Sequence, residues 1–364
     1  MSYKLAPAII SDNNKMEDNI SKTESRLPLF NWLKTHPCSA IVVVADNTVW
    51  NLYKIEFDDL KQFAPVTVIP IQGGEKAKSL EIISIIWQKM LEHCIDKEAL
   101  LLNIGGGSIS DVGGLAAAVY KRGIPYINIP TTLLAMVDAA IGGKTAVNFG
   151  GIKNSIGTIT LPQEVFTDTR FLQSLPHEEL LSGFAELLKY ALIADVELWH
   201  DLQNLTEINA DVILSEWIER AGAFKKKIVA QDLCDNRERR CLNFGHTVGH
   251  ALETFFMDKN PLTHGHSVAL GMVFEAWFSH YCGQLSKQEA KAIQQFIGRF
   301  YSFRTIQHDE IQEIIKLCLQ DKKNNNGTIN CTFLECIGRY SVNNSMSRKD
   351  IQIILQSANF SSSL

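Results

Sequence analysis

The sequence predicts an α/β fold, with an N-terminal Rossmann-like doubly wound domain followed by a C-terminal, mainly α-helical domain. Three observations predict it. Short β-branched runs alternate with helical spacing from about residue 40 to residue 140. Near residue 173 the alternation stops and helical periodicity takes over. Glycines gather at the junction, 11 of the 23 falling within residues 105–157. Alternating strand and helix signals give parallel sheets wrapped by helices, and glycine collects where backbone must approach a ligand or adopt positive φ. The expected division is 1–172 and 173–364, with a cleft between.

Taken in order, residues 11–26 are polar and read as a surface arm. Ala40–Ala45 is β-branched and closes at Asp46, the pattern of a fully buried parallel strand. Val66–Pro70 is a second strand. Leu80, Ile83, Ile86 and Met90 then recur at helical spacing, so a helix follows to His93. Ala99–Ile104 is a strand running straight into Gly105-Gly106-Gly107. Residues 109–121 read as a helix, Tyr126–Ile129 as a strand and Thr131–Ala140 as a helical turn. Beyond the boundary, Gly183–Ala194, Leu198–Leu205, Val212–Ala230, Val248–Phe256, His266–Cys282 and Lys287–Phe300 all carry helical periodicity. Strand signals return only near the C-terminus.

Composition narrows the function. The 364 residues are 46% apolar and 21% charged, an ordinary globular balance that excludes disorder and collagen. Lys+Arg 35 against Asp+Glu 40 gives a net charge of −5, so no basic field points to nucleic acid. No apolar run approaches the ~18 residues of a membrane helix. The first residues lack a secretory pattern, so a cytoplasmic protein is expected. Eight scattered cysteines without a Cys-x-x-Cys pair read as reduced thiols.

Gly105-Gly106-Gly107-Ser108 opens a predicted helix, where unpaired N–H groups favour an anion such as a pyrophosphate. Ser110 stands where the usual dinucleotide fingerprint has its third glycine. Gly73-Gly74-Glu75 and Lys78 follow an earlier strand at the same sheet edge, and an acidic group there suits ribose hydroxyls. Arg122, Lys144 and Lys153 stand in glycine-rich loops, an unusual place for cations unless they meet a charged ligand. Gly-Gly-Lys-Thr at 142–145 lacks the spacing of a Walker A loop. Four of the ten histidines fall between 246 and 266. His246 and His250 share a helical face at the i,i+4 spacing by which two imidazoles converge on one ion, and His264 and His266 follow. Glu186 on a separate helix would complete a carboxylate-plus-two-histidine set.

Together these segments resemble the 3-dehydroquinate synthase family. The matching stretches are GGGSISDVGGLAA (105–117), KRGIPYINIPTTLLAMVDAAIGGKTAVN (121–148), GIKNSIG (151–157), GFAELLKYALIAD (183–195), LNFGHTVGHALE (242–253) and LTHGHSVALGM (262–272), in the family's order. Related metal-dependent dehydrogenases carry a lysine three residues after the aspartate of the glycine loop; here Gly114 stands there.

The resemblance implies a phosphate-eliminating lyase that converts 3-deoxy-D-arabino-heptulosonate 7-phosphate to 3-dehydroquinate, with NAD regenerated in each turnover. Asp46, Glu75, Lys78, Gly106, Gly107, Ser108, Asp111, Thr131, Thr132, Lys144 and Lys153 would hold NAD. Glu186, His246 and His264 would hold zinc, or cobalt in its place. Arg122, Asp138, Lys144, Asn154, Lys189, Lys225, Arg239, Asn243 and His250 would meet the substrate, with Lys322 or Lys323 completing the pocket. His266 replaces the family's usual glutamate and rivals His264 as a ligand, and Asp232–Arg237 departs from the family's acidic stretch. A homodimer is implied too. The rival readings are a cyclitol-forming sugar-phosphate cyclase and an NAD-dependent polyol dehydrogenase.

Overall fold

The computed structural model describes residues 28–304, 306–307, 309–319 and 329–357. The expected arm at 11–26 and the Lys322/Lys323 pair lie outside them. Helix α1 (Pro28–Leu33) leads into β1 (Ile41–Asp46), α2 (Asn47–Tyr53), β2 (Val66–Ile71), α3 (Leu80–Glu92), β3 (Leu100–Gly105), α4 (Gly107–Val119) and β4 (Tyr126–Pro130). A hairpin of β5 (Lys144–Phe149) and β6 (Ile152–Ile159) follows, then the short β7 (Glu164–Val165). The helical half comprises α5 (His177–Ala194), α6 (Val196–Gln203), α7 (Ser215–Gln231), α8 (His246–Phe256), α9 (His264–Tyr281), α10 (Lys287–Gly298) and α11 (Glu310–Leu319). Strands β8 (Ile329–Cys336) and β9 (Arg339–Met346) and helix α12 (Arg348–Ser357) close it.

The sheet runs β2-β1-β3-β4-β7, with every neighbouring pair parallel. Register levels the strand ends: Asp46 pairs with Ile71, Ala45 with Ile104, and Gly105 with Pro130. The chain leaves β1 in one direction and returns to β3 in the other. The order therefore reverses between Asp46 and Gly105, and ligands bind at such a switch point. Because side chains alternate along a strand, Val42, Val44 and Leu101 pack under α3 and α4, while Val43, Ala45, Leu102 and Ile104 face the other way. That second face belongs to the same cluster of buried residues as Phe184, Leu187 and Leu188 of α5, so sheet and helical half share one core.

Helix α5 is apolar almost all round and buried from Ser182 to Ile193, which fixes it as the central helix of the second half. Helices α8 and α9 cross with backbone against backbone. A Cβ at Gly271 would fall 1.9 Å from the Gly245 carbonyl oxygen, and one at Gly249 2.9 Å from that of Ser267. The start of α8 has no capping side chain of its own. Instead Glu275 of α9 accepts hydrogen bonds from the N–H groups of Gly245 (2.8 Å), Thr247 (3.1 Å) and Val248 (3.3 Å).

The β5–β6 hairpin is the main departure from the expected elements. Lys144 begins β5 and Lys153 lies in β6, so both stand on paired strands and not in open loops. The hairpin rests on α4: a Cβ at Gly114 would meet Thr145 Cγ2 at 2.6 Å. A lysine there would collide with it. Among the described residues, no helix is long and apolar enough to cross a membrane.

Candidate active site

Two groups of residues meet where the sheet edge faces the helical half. At the switch point a cleft of about 390 Å³ is lined by Asp46, Gly74, Glu75, Gly106, Gly107, Ser108, Thr131 and Thr132. Each of these lies at or just beyond the C-terminal end of a strand. Gly106 caps α4 without a side-chain hydrogen bond, so the first N–H groups of that 13-residue helix face the cleft. Side chains at Gly106 and Gly107 would press on Thr132 Cγ2 (3.1 Å) and Ala139 Cβ (2.8 Å). The Thr131 hydroxyl is buried and has no hydrogen-bond partner among the described residues. A pyrophosphate-bearing dinucleotide fits this cradle.

The polar side chains around the cleft mostly hold one another. Asp46 Oδ1 accepts from the N–H groups of Thr48 (2.8 Å) and Val49 (3.2 Å). Ser108 accepts from Gly74 N (3.1 Å), and Glu75 from Asn148 of β5 (2.7 Å). Lys78 and Asp111 form an ion pair at 2.6 Å. Burial pushes the Asp111 carboxyl above its usual range despite Lys78.

The second group is built from buried charges. Asp138 lies in the turn after β4. It accepts from Tyr190 Oη (2.6 Å) and pairs with Lys225 (2.8 Å) and Lys189 (3.5 Å). Burial works against its charge, but Lys225 and Lys189 outweigh that and hold it well below the usual carboxylate range. Burial pulls Lys225 down further than Asp138 restores it. Lys189 is also buried, yet Glu186 and Asp138 lift it above the usual lysine value. Its ammonium stands 2.5 Å from Glu186 on the same helix.

Glu186 joins this cluster to a candidate metal centre. Its Oε1 lies 3.2 Å from His246 Nε2 and 3.5 Å from His264 Nε2. The three residues place ligand atoms within 4.8 Å of one another. Tetrahedral zinc with arms of about 2.0–2.1 Å sets its ligands roughly 3.3 Å apart, which matches those two separations. Both carboxylate oxygens are buried, and apart from the ion pair with Lys189 neither has a hydrogen bond of good geometry among the described residues. Each imidazole is fixed through its other nitrogen, His246 Nδ1 by the Phe244 carbonyl (3.2 Å) and His264 Nδ1 by Glu253 (3.1 Å). This leaves both Nε2 lone pairs for an ion. Without one, burial opposes the charge on His264, but the Glu186 and Glu253 carboxylates push it up to about 10. Glu253 is held at about 2, the pull of His264 and Lys153 overcoming burial. These residues fit a divalent metal.

The structure separates several residues that the sequence analysis grouped. His266 turns away, its Nε2 2.9 Å from the Ser302 carbonyl, so the carboxylate set is completed by His264. His250 stands beside the three, its ring centroid 5.2 Å from that of His246 and 5.8 Å from that of His264. The pair that converges is thus His246 with His264, and not His246 with His250. Lys144 pairs with Asp235 (2.5 Å) and Lys153 with Glu253 (3.0 Å), which ties the hairpin to the helical half twice. Asn154, exposed at φ +51, donates its N–H to Asn148. Arg239 is buried and donates to the carbonyls of Leu233 (2.9 Å) and Gly142 (3.3 Å). Asn243 lines a small crevice with Arg240 and Asn343. Arg122 follows α4 and precedes β4, which puts it at the N-terminal edge of the sheet, opposite the cleft. Sequence reasoning missed Tyr190, Glu253 and Glu275. Glu253 was detectable, lying at i+7 from His246 on the same helical face.

Comparison with known proteins agrees with this geometry. A family model described as 3-dehydroquinate synthase N-terminal matches residues 68–182, and one described as 3-dehydroquinate synthase C-terminal matches 183–324. A 3-dehydroquinate synthase of Parabacteroides distasonis is 36% identical over 297 residues, 81% of this chain and 84% of that protein. A crystal structure of 2-deoxy-scyllo-inosose synthase complexed with carbaglucose-6-phosphate, NAD+ and Co2+ superposes with a TM-score of 0.78 at 22% identity, covering 91% of this chain and 94% of that one. A 2-epi-5-epi-valiolone synthase from Streptomyces hygroscopicus subsp. jinggangensis 5008, with NAD+ and Zn2+ bound, gives 0.75 at 27% identity over 88% and 91%. The two family models cover residues 68–324 without a break and the curated relative is 36% identical over most of both chains, so this chain is an enzyme of the 3-dehydroquinate synthase family.

Proposed function

We propose that the chain converts 3-deoxy-D-arabino-heptulosonate 7-phosphate to 3-dehydroquinate and phosphate, with NAD in the switch-point cleft and zinc on Glu186, His246 and His264. One observation carries this reading: the metal candidate and the buried Lys189–Asp138–Lys225 cluster share an ion pair, Glu186 with Lys189 at 2.5 Å. Two carboxylates balance two ammoniums there. A divalent ion then leaves an excess of positive charge that an anionic substrate would neutralise. An uncharged polyol has no such need.

When bound, the NAD would supply a hydride acceptor and donor, and the metal a Lewis acid for the reacting hydroxyl. The chain's own residues do the rest. Lys189 and Lys225 orient the substrate, with Asp138 and Tyr190 fixing the lysines' positions. His250, beside the three candidate ligands, holds and returns the proton of the substrate hydroxyl. The hairpin brings Lys144, Lys153 and Asn154 to the rim, and we assign Arg239 and Asn243 to the helical side, which requires substrate to draw Arg239 from the Leu233 and Gly142 carbonyls and Asn243 from its crevice. Residues 1–172 act as the NAD domain and 173–364 as the metal and substrate domain.

We further propose a cytoplasmic homodimer. Arg122 lies at the far sheet edge, so its place at a substrate anion would come from a second copy. Mixing Arg122→Ala with Glu186→Ala chains should then regain activity that neither variant has alone.

The deciding assay follows phosphate and nicotinamide absorbance together, with metal-stripped protein, added zinc and catalytic NAD. Many phosphates released per NAD without NADH build-up is the expected result. Steady NADH accumulation without phosphate would mark a dehydrogenase. Turnover of a hexose phosphate in place of the heptulosonate would mark a cyclitol-forming cyclase.

A further inference from the structure

Glu253 has a placement that the reaction above leaves unused. His246, His250 and Glu253 stand at i, i+4 and i+7 on α8 and share a face. One oxygen of Glu253 lies 3.1 Å from His264 Nδ1, and the other accepts from Lys153 Nζ at 3.0 Å. A carboxylate in this position can only accept. It therefore keeps a proton on Nδ1 and leaves Nε2, 3.5 Å from Glu186 Oε1, as the nitrogen that would meet an ion. His264 is the first residue of α9, so no preceding helical turn holds its ring, and its side chain is 33% exposed against 13% for His246.

We infer that Glu253 is the positioning residue of the metal centre, fixing the tautomer and aim of His264. Lys153, on β6 of the sheet half, steadies that carboxylate. The aim of a metal ligand on one half of the molecule is thus tied to the seating of a hairpin on the other. The inference rests on the metal reading above.

The test measures zinc affinity by chelator competition and the visible spectrum of the cobalt-loaded protein, without NAD or substrate. Wild type is compared with Glu253→Ala, Glu253→Gln and Glu186→Ala. Outer-shell partners of metal ligands are worth about 10–100-fold in affinity, so Glu253→Ala should lose that much and shift the cobalt bands. The amide carbonyl of Glu253→Gln still accepts from Nδ1, so this variant should lose less. It also keeps the test open if the alanine variant fails to fold, which the melting temperature of the metal-free protein reports. Unchanged zinc affinity and cobalt spectrum in the folded Glu253 variants, with Glu186→Ala abolishing binding, overturns the positioning role alone. Zinc binding that survives Glu186→Ala overturns the metal reading, and this inference with it.

Discussion

The cleft at the sheet edge and the charged centre of the helical half meet along one seam but are built differently. Around the cleft, glycines and a helix start offer backbone to a ligand, and the charged side chains are already partnered: Lys78 with Asp111, Glu75 with Asn148, Asp46 with the N–H groups of α2. In the helical half the ligand must be met by side chains. Glu186, Lys189 and Lys225 are each nearly or fully buried, and Glu186 lacks any hydrogen-bond donor of good geometry among the described residues. Buried charges are costly unless compensated. The charged side chains of the cleft are thus satisfied within the fold, whereas in the helical half the buried charges depend on one another and on whatever ion or anion joins them. Substitutions should therefore act most strongly in the second region.

The largest effect is expected for Glu186→Gln, which keeps shape and removes charge. Zinc affinity should fall by more than the 10–100-fold typical of outer partners, with turnover lost alongside; equal affinity by chelator competition would erase the contrast between the regions. Next comes Asp138→Asn, which leaves Lys225 without its carboxylate. Breaking a buried pair on one side costs about 3–5 kcal/mol, measurable by urea unfolding. Because the native Asp138 carboxyl is held below its usual value, its stabilisation is complete above the unfolded value near ~3.9 and is lost as pH falls through the native one. The stability gap between wild type and variant should accordingly stay constant at neutral pH and close in acid. A gap that widens in acid would reverse the sign assigned to this cluster.

Smaller effects sharpen the other side. Gly114→Lys should cost about 1–3 kcal/mol by overpacking against Thr145, and should loosen the hairpin from α4. Unaltered melting together with unaltered NAD affinity would show that the hairpin does not rely on that contact. Least destabilising is Lys144→Met. Its pair with Asp235 is half-exposed on the lysine side, so stability should change by less than ~1 kcal/mol. A rise in KM for the substrate at constant stability would place Lys144 at the ligand; a fall in stability with constant KM would make it a strut.

Most of the sheet half was legible because its strands are buried on both faces and read as apolar runs, as in Ile41–Ala45 and Leu100–Leu102. The helices of the second half declared themselves by period. The hairpin did not, since β6 is exposed along nearly its whole length and carries no inside–outside alternation to read. Its Ile152, Ile156 and Ile159 all face outward to some degree, so Lys153 looked like a loop residue. The site's residue types were visible, but their partners were not. Whether His264 or His266 turns inward depends on the carbonyl of Ser302, which claims His266 from 36 residues away. The far-edge position of Arg122 was legible too, since segments that run from a helix into the next strand of a parallel sheet lie at the edge opposite that sheet's ligands.

The glycine contact between α8 and α9 sets a limit on how this site can diversify. With no side chain at Gly245, Gly249 or Gly271 to enlarge or trim, the two backbones have a single closest approach, and the bite between His246 and His264 is fixed with it. Redesign toward a different sugar phosphate would gain nothing from repacking these helices. The adjustable part is the exposed hairpin, whose length and tip residues can be exchanged while the candidate metal clasp stays the same.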